Sequence, residues 1–157
     1  MLGSSASQLT ANLSNASLDE EQVLRIPAEL ERMDEVLDFV SSLIDAYGTS
    51  PLVRTQLRMA MEELYVNIAH YAYPEGGGWA EIRGSIEDGV ATFCLIDGGV
   101  PFDPLAKPDP DVTLSGEERE IGGLGIYMVK NTMDEVDYEY RDGCNRLTIR
   151  KRMSGVG

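Results

Sequence analysis

Cysteine is scarce in this chain, and the two present, Cys94 in an apolar run and Cys144 in a turn, form neither a disulfide framework nor a metal-spaced cluster. Two free thiols are expected. Long apolar runs are missing as well: none approaches the ~18 residues of a membrane span, and the N-terminus lacks the charged-then-apolar order of a secretion signal. A cytoplasmic protein with no membrane partner is expected. Positive charge is under-represented, with 13 Lys and Arg against 27 Asp and Glu and a net charge of −14. That balance argues against direct nucleic-acid binding through a general basic patch. It fits a basic partner surface, or an anionic ligand held by backbone amides and metal. Histidine occurs once, and no serine, cysteine or ligand cluster accompanies His70, so a packed or partly exposed helix residue is expected there. Two nucleotide signatures are absent too. There is no GxxxxGK followed by Ser or Thr, and Gly123-Leu-Gly125 follows a long loop and leads to Met128 where a dinucleotide fingerprint needs its third glycine.

What is present suits one globular domain: 157 residues, 43% of them hydrophobic. The first stretch, MLGSSASQLTANLSNASLDEE, is rich in Ser, Ala and Asn without a sustained period and reads as a disordered or appended lead-in over 1–21, leaving 22–153 as the folded unit. LRIP reads as a short strand, with Pro27 in the first turn of a helix through AELERMDEVLDFVSSLIDAYG. Leu30, Met33, Leu37, Val40 and Ile44 recur there at helical spacing, and Gly48 stops it. A second helix starts near Ser50 with Pro51 in its first turn and runs to about Tyr71, its stripe being Val53, Leu57, Ala60, Leu64, Ile68 and Tyr71. After the glycines at 76–78 the period changes to two. WAEIRGSIE and VATFCLID flank Asp88-Gly89, and a second alternating pair flanks Asp142-Gly143, so two hairpins are expected. One sheet face should lie on helices and the other should meet water.

Three features stand out against this frame. In EELYVN, at about 100° per residue, Asn67 lies about 40° off Val53 and Glu63 about 80° off, while Glu62 points the opposite way. A carboxylate and an amide beside an apolar stripe are costly unless something binds them. Asp97 ends VATFCLI with the parity of Phe93 and Leu95, so its carboxylate leans coreward, where it could form a turn or accept the exocyclic amine of an adenine. Between the hairpins, Gly98 to Ile121 shows no period and holds four of the seven prolines, which marks a lid or a disordered loop. It ends in GGLG before the apolar helix IYMVKNTM, and glycines at a helix N-terminus can hold phosphate oxygens or simply punctuate.

Together E63-L-Y-V-N67, D97-G-G-V-P-F-D103 and G122-G-L-G125-I-Y-M-V resemble the three nucleotide-binding boxes shared by gyrase, heat-shock chaperones, histidine kinases and MutL. Within that superfamily, NIAHYAYP, DGGVPFDP and IGGLGIYMV are similar to the anti-sigma-factor serine/threonine kinases, over about residues 22–153. The resemblance implies an α/β two-layer sandwich with helices on one face of a mixed, largely antiparallel sheet, and ATP between the second helix, the lid and the sheet. It further implies Mg²⁺ on Asn67, Glu63 as the base for an incoming serine or threonine hydroxyl, Asp97 on the adenine amine, and Gly99 beside the base. Gly122, Gly123, Leu124 and Gly125 would bind phosphates. The implied partners are an anti-anti-sigma domain of the STAS type and a sigma factor, with a homodimer as the working form. Two alternatives stay open: a nucleotide-binding partner switch without efficient transfer, and a non-kinase ATPase or sensor module. In this sequence Glu120 and Ile121 precede Gly122, where such relatives often carry Arg or Ser, and the nearest cation is Arg119.

Overall fold

The computed structural model describes residues 20–106 and 124–153. β1 (Gln22–Pro27) leads through a 3₁₀ turn at Leu30–Arg32 into α1 (Met33–Tyr47), and α2 (Pro51–Asn67) continues into a π turn at Ile68–Ala72. β2 (Trp79–Glu87) and β3 (Val90–Asp97) form one hairpin, a 3₁₀ turn follows at Pro104–Ala106, and α3 (Leu124–Thr132) precedes the second hairpin of β4 (Glu135–Arg141) and β5 (Cys144–Arg152). The five strands lie in the order β1-β2-β3-β5-β4. The architecture is the expected two-layer α/β sandwich.

Both hairpin turns have the chemistry that their sequences call for. Asp88 and Gly89 take φ values of 53° and 76°, and Asp142 and Gly143 take 55° and 77°, the paired positive φ that lets a two-residue turn match strand twist. Every strand pairing is antiparallel, so the sheet is not mixed among the described residues. The reason is topological: β4 runs parallel to β3 after a crossover, but β5 inserts between them and pairs with both. That insertion sets Asp97 directly opposite Asn145.

The helices cover one sheet face, and Phe39, Leu43, Leu57, Met61, Phe93 and Ile149 are among the residues shut in between. Helix α1 departs from its expected start and face. Pro27 is the last residue of edge strand β1, paired with Trp79, a place where a missing N–H is tolerated. The helix begins six residues later, and its buried side is Val36, Phe39, Val40, Leu43 and Ile44, while Leu30 stays exposed and Met33 and Leu37 pack only at the margin. The bend is held by Tyr65, whose buried hydroxyl donates to the Glu29 carbonyl at 2.6 Å and accepts from the Glu29 N–H at 3.0 Å.

Helix α2 starts as expected, with the Ser50 hydroxyl accepting from the Val53 N–H at 3.2 Å and Pro51 behind it. Its stripe holds from Val53 to Ile68 and then fails at Tyr71, which is 52% exposed. The π turn is the cause: its wider turn adds residues, so Ala72 reaches the core in place of Tyr71. Among the described residues, no helix is long and apolar enough to cross a membrane.

Candidate functional site

The end of β3, the end of α2 and the segment after Asp97 enclose a pocket with about 390 Å³ of free space, counting its open mouth. Leu64, Ile68, Leu95 and Leu147 give it apolar walls, and Asn67, Asp97, Tyr138 and Asn145 bring polar atoms to it. Asp97 is 4% exposed, in keeping with its coreward parity. Its Oδ1 accepts from the Gly99 N–H at 2.9 Å and from Asn145 Nδ2 at 2.8 Å, and Oδ2 has no partner among the described residues. Burial pushes the Asp97 carboxyl above the usual range, and the bonds from Asn145 and Gly99 pull partly back. A buried acceptor with one free oxygen suits a ligand that brings an N–H.

The other end of the site lies where α2 meets α3. Glu63 is half-buried and Glu62 exposed, as the helical angles require. A Cβ built on Gly125 would lie 2.0 Å from the Glu63 carboxyl carbon and 2.3 and 2.4 Å from its two oxygens. A side chain at 125 would have to push the end of the flexible Glu63 side chain aside, and the Glu63 carboxylate sits against the first turn of α3, where the helix dipole favours negative charge. Asn67, one turn on from Glu63, is half-buried and lines the pocket. Glu63, Asn67 and the Asp97 pocket thus succeed one another along α2.

The remaining expected residues are placed less simply. At Gly99 the close approach is to the π turn: a Cβ there would lie 2.1 Å from the Ala72 carbonyl oxygen, and the next N–H, of Val100, donates to that oxygen at 2.8 Å. Leu124 opens α3 and is exposed. Gly122 and Gly123 lie outside the described residues, as do Arg119 and most of the expected lid. His70 is exposed, edge-on to the Tyr71 ring. Cys94 and Cys144 are free thiols, and burial raises the Cys94 value.

Three pocket residues escaped the sequence reading. Asn145 bonds to Asp97, Tyr138 donates its hydroxyl to Asn145, and Phe102 stacks on Tyr71 with ring centres 5.3 Å apart. A signal for Asn145 was available, since it shares the parity of Leu147 and Ile149 and is thus polar at a core-facing position. Phe102 sits in an aperiodic loop and gave none.

An apolar slot with a buried carboxylate thus lies beside the contact between α2 and α3, on one face of a two-layer α/β fold. A family model described as a histidine kinase-like ATPase domain matches residues 26–151. The serine-protein kinase RsbW of Bacillus cereus (strain AH820) is 24% identical over 135 residues, which cover 83% of this chain and 84% of the relative. The serine/threonine-protein kinase BtrW of Bordetella bronchiseptica is 26% identical over 103 residues, 64% of this chain and 71% of the relative. A crystal structure of the RsbU and RsbW domains of a Mycobacterium tuberculosis protein shares the fold, with a TM-score of 0.59 at 15% identity over 84% of this chain. The chain spans about a third of that longer protein, 32%. The chain belongs to the histidine kinase-like ATPase family, and the relatives it resembles there are named serine or serine/threonine kinases.

Proposed function

We propose that the protein is a cytoplasmic ATP-dependent protein serine/threonine kinase of a partner switch, which phosphorylates an anti-anti-sigma domain of the STAS type and, as a homodimer, sequesters a sigma factor. One observation carries the catalytic part: the Glu63 carboxylate lies against Gly125 at the start of α3, one helical turn from Asn67 and the Asp97 pocket. A module that only bound nucleotide would have no need of a carboxylate there. The partners rest on likeness to RsbW and BtrW, both named as serine or serine/threonine kinases.

In this reading Asp97 accepts the exocyclic amine of adenine through Oδ2, and the apolar walls hold the ring away from water. Among the described residues, no group of three or more His, Cys, Asp or Glu could hold a metal ion. The pocket instead offers the Asn67 amide oxygen, and one hard protein oxygen completed by phosphate and water is a donor set that fits Mg²⁺. Mg²⁺ held there with the nucleotide would neutralise phosphate charge. Glu63 takes the proton of the partner's serine or threonine hydroxyl as its oxygen bonds to the γ-phosphorus and the bond to the departing ADP oxygen breaks. Amides and metal, with no basic patch, handle the triphosphate, in keeping with a chain of net charge −14.

The test is incubation with labelled ATP, Mg²⁺ and an anti-anti-sigma domain. Transfer to a serine or threonine that vanishes in Glu63→Gln while ATP stays bound is the expected result. Transfer that persists in that variant would sink Glu63 as base, and ATP binding without transfer by the unaltered protein would favour a nucleotide-binding switch.

A further inference from the structure

Asn145 makes four hydrogen bonds with one amide. Its Nδ2 donates to Asp97 Oδ1 and to the Val100 carbonyl, both at 2.8 Å, and its Oδ1 accepts from the Phe102 N–H at 3.0 Å and from the Tyr138 hydroxyl. An amide has two donor hydrogens and two lone pairs, so this side chain is saturated. It is 6% exposed and lines the pocket, yet has nothing left to offer a ligand. Any effect it has on a ligand must pass through its neighbours.

The neighbour that matters is Asp97. The two residues face one another across the β3–β5 ladder, so the bond between them is set by register. With Oδ1 occupied by Asn145 and Gly99, Oδ2 is the oxygen left without a partner among the described residues. We propose that Asn145 is a positioning and specificity-determining residue for the nucleobase: by holding Oδ1 it keeps Asp97 a fixed, ionised acceptor that takes a base carrying an amine and rejects one carrying a carbonyl. This rests on the reading of the pocket as an ATP site.

The physical chain is short. A carboxylate set against a carbonyl oxygen brings two acceptors together with no proton between them, and a buried site built for a donor rejects a ligand that lacks it. Loss of the Asn145 donor would remove a bond that favours the charged form, and burial would then favour the neutral acid. A neutral acid can donate to a carbonyl, so discrimination would fade. The other titratable groups that interact with Asp97 are Tyr73 beyond the π turn and Tyr138 of β4. Burial holds both tyrosines above their ordinary value, so neither gains charge near neutral pH.

The experiment measures ATP and GTP affinity by calorimetry for the unaltered protein, Asp97→Asn, Asn145→Ala and the double variant. Unaltered protein should prefer ATP, and Asn145→Ala should lose about tenfold for ATP with little change for GTP. In the Asp97→Asn background the same substitution should cost almost nothing more, because a residue acting through another is not additive with it. Equal losses for both nucleotides, or additive losses in the cycle, would overturn the proposal and leave Asn145 a packing residue. If Asn145→Ala does not fold, the near-isosteric Asn145→Asp carries the test through its pH profile. Two opposed carboxyls share a proton at low pH and repel when both ionise, so ATP affinity should fall as pH rises. A profile parallel to that of the unaltered protein would also overturn it. Unaltered protein that binds neither nucleotide would overturn the ATP reading itself, and this proposal with it.

Discussion

The two ends of the candidate site are built by different means. At the base end, Asp97 and Asn145 are a cross-strand pair near the middle of a five-stranded sheet, and their geometry comes from strand register. At the end proposed for the phosphates, Glu63 and Gly125 meet where two helices touch, and the Glu63 carboxylate occupies the space a Cβ at 125 would take. The first end is redundant, with several hydrogen bonds holding each group. The second rests on one close contact with the end of a flexible side chain. If the proposed roles hold, recognition comes from the sheet and chemistry from the helix contact, and the two should fail separately.

Gly125→Ala attacks the tighter end and should have the largest effect. The added methyl would displace the Glu63 carboxylate from its place against α3, so phosphotransfer should fall by roughly 10²–10⁴-fold, the usual worth of a positioned general base. The stability cost should be small, because the Glu63 carboxylate is the end of a flexible, half-buried side chain that can move aside. Transfer assays with thermal melts would show both, and unchanged transfer would break the link between Glu63 and α3. Asp97→Asn attacks the other end. The variant can still accept from Gly99 and Asn145 but loses the charged acceptor, so ATP binding should weaken by about 1–3 kcal/mol, measured by calorimetry, while folding is spared. An unchanged affinity with a lowered melting temperature would make Asp97 a turn former.

The acidity of Asp97 sharpens the same comparison. Its folded-state pKa is raised, so the buried charge costs stability above that value, and the cost fades as pH falls toward the ordinary carboxylate range. Asp97→Asn should therefore melt higher than the unaltered ligand-free protein near neutral pH, with the gap closing on acidification. ATP affinity of the unaltered protein should move the opposite way and drop as pH falls through the raised value. The smallest effect is expected at the pocket mouth. Tyr71→Ala removes the exposed stack on Phe102 and should weaken ATP by about 0.5–1.5 kcal/mol, read by titration, with phosphotransfer at saturating ATP intact.

Much of this architecture was readable from local pattern. The Asp-Gly pairs marked both hairpins, Ser50-Pro51 marked the start of α2, and helical angles separated Glu63 from Glu62. Other parts were not readable, for identifiable reasons. The alternative face of α1 was equally apolar, so Leu30, Met33 and Leu37 made a plausible stripe until packing chose Val36, Phe39 and Leu43. The π turn left no mark in composition, yet it moved Tyr71 out of the core and gave Gly99 the Ala72 carbonyl to pass.

The amino-acid sequence by itself determined the periods, the turns and the orientation of each polar side chain along its own element, because these follow from bonds and sterics within a few residues. Only the tertiary structure decided which of those side chains meet. That β5 enters between β3 and β4 is a matter of long-range packing, and it is why Asn145 faces Asp97. That Glu63 rests on Gly125 depends on how closely α2 and α3 approach, a distance that neither helix encodes alone.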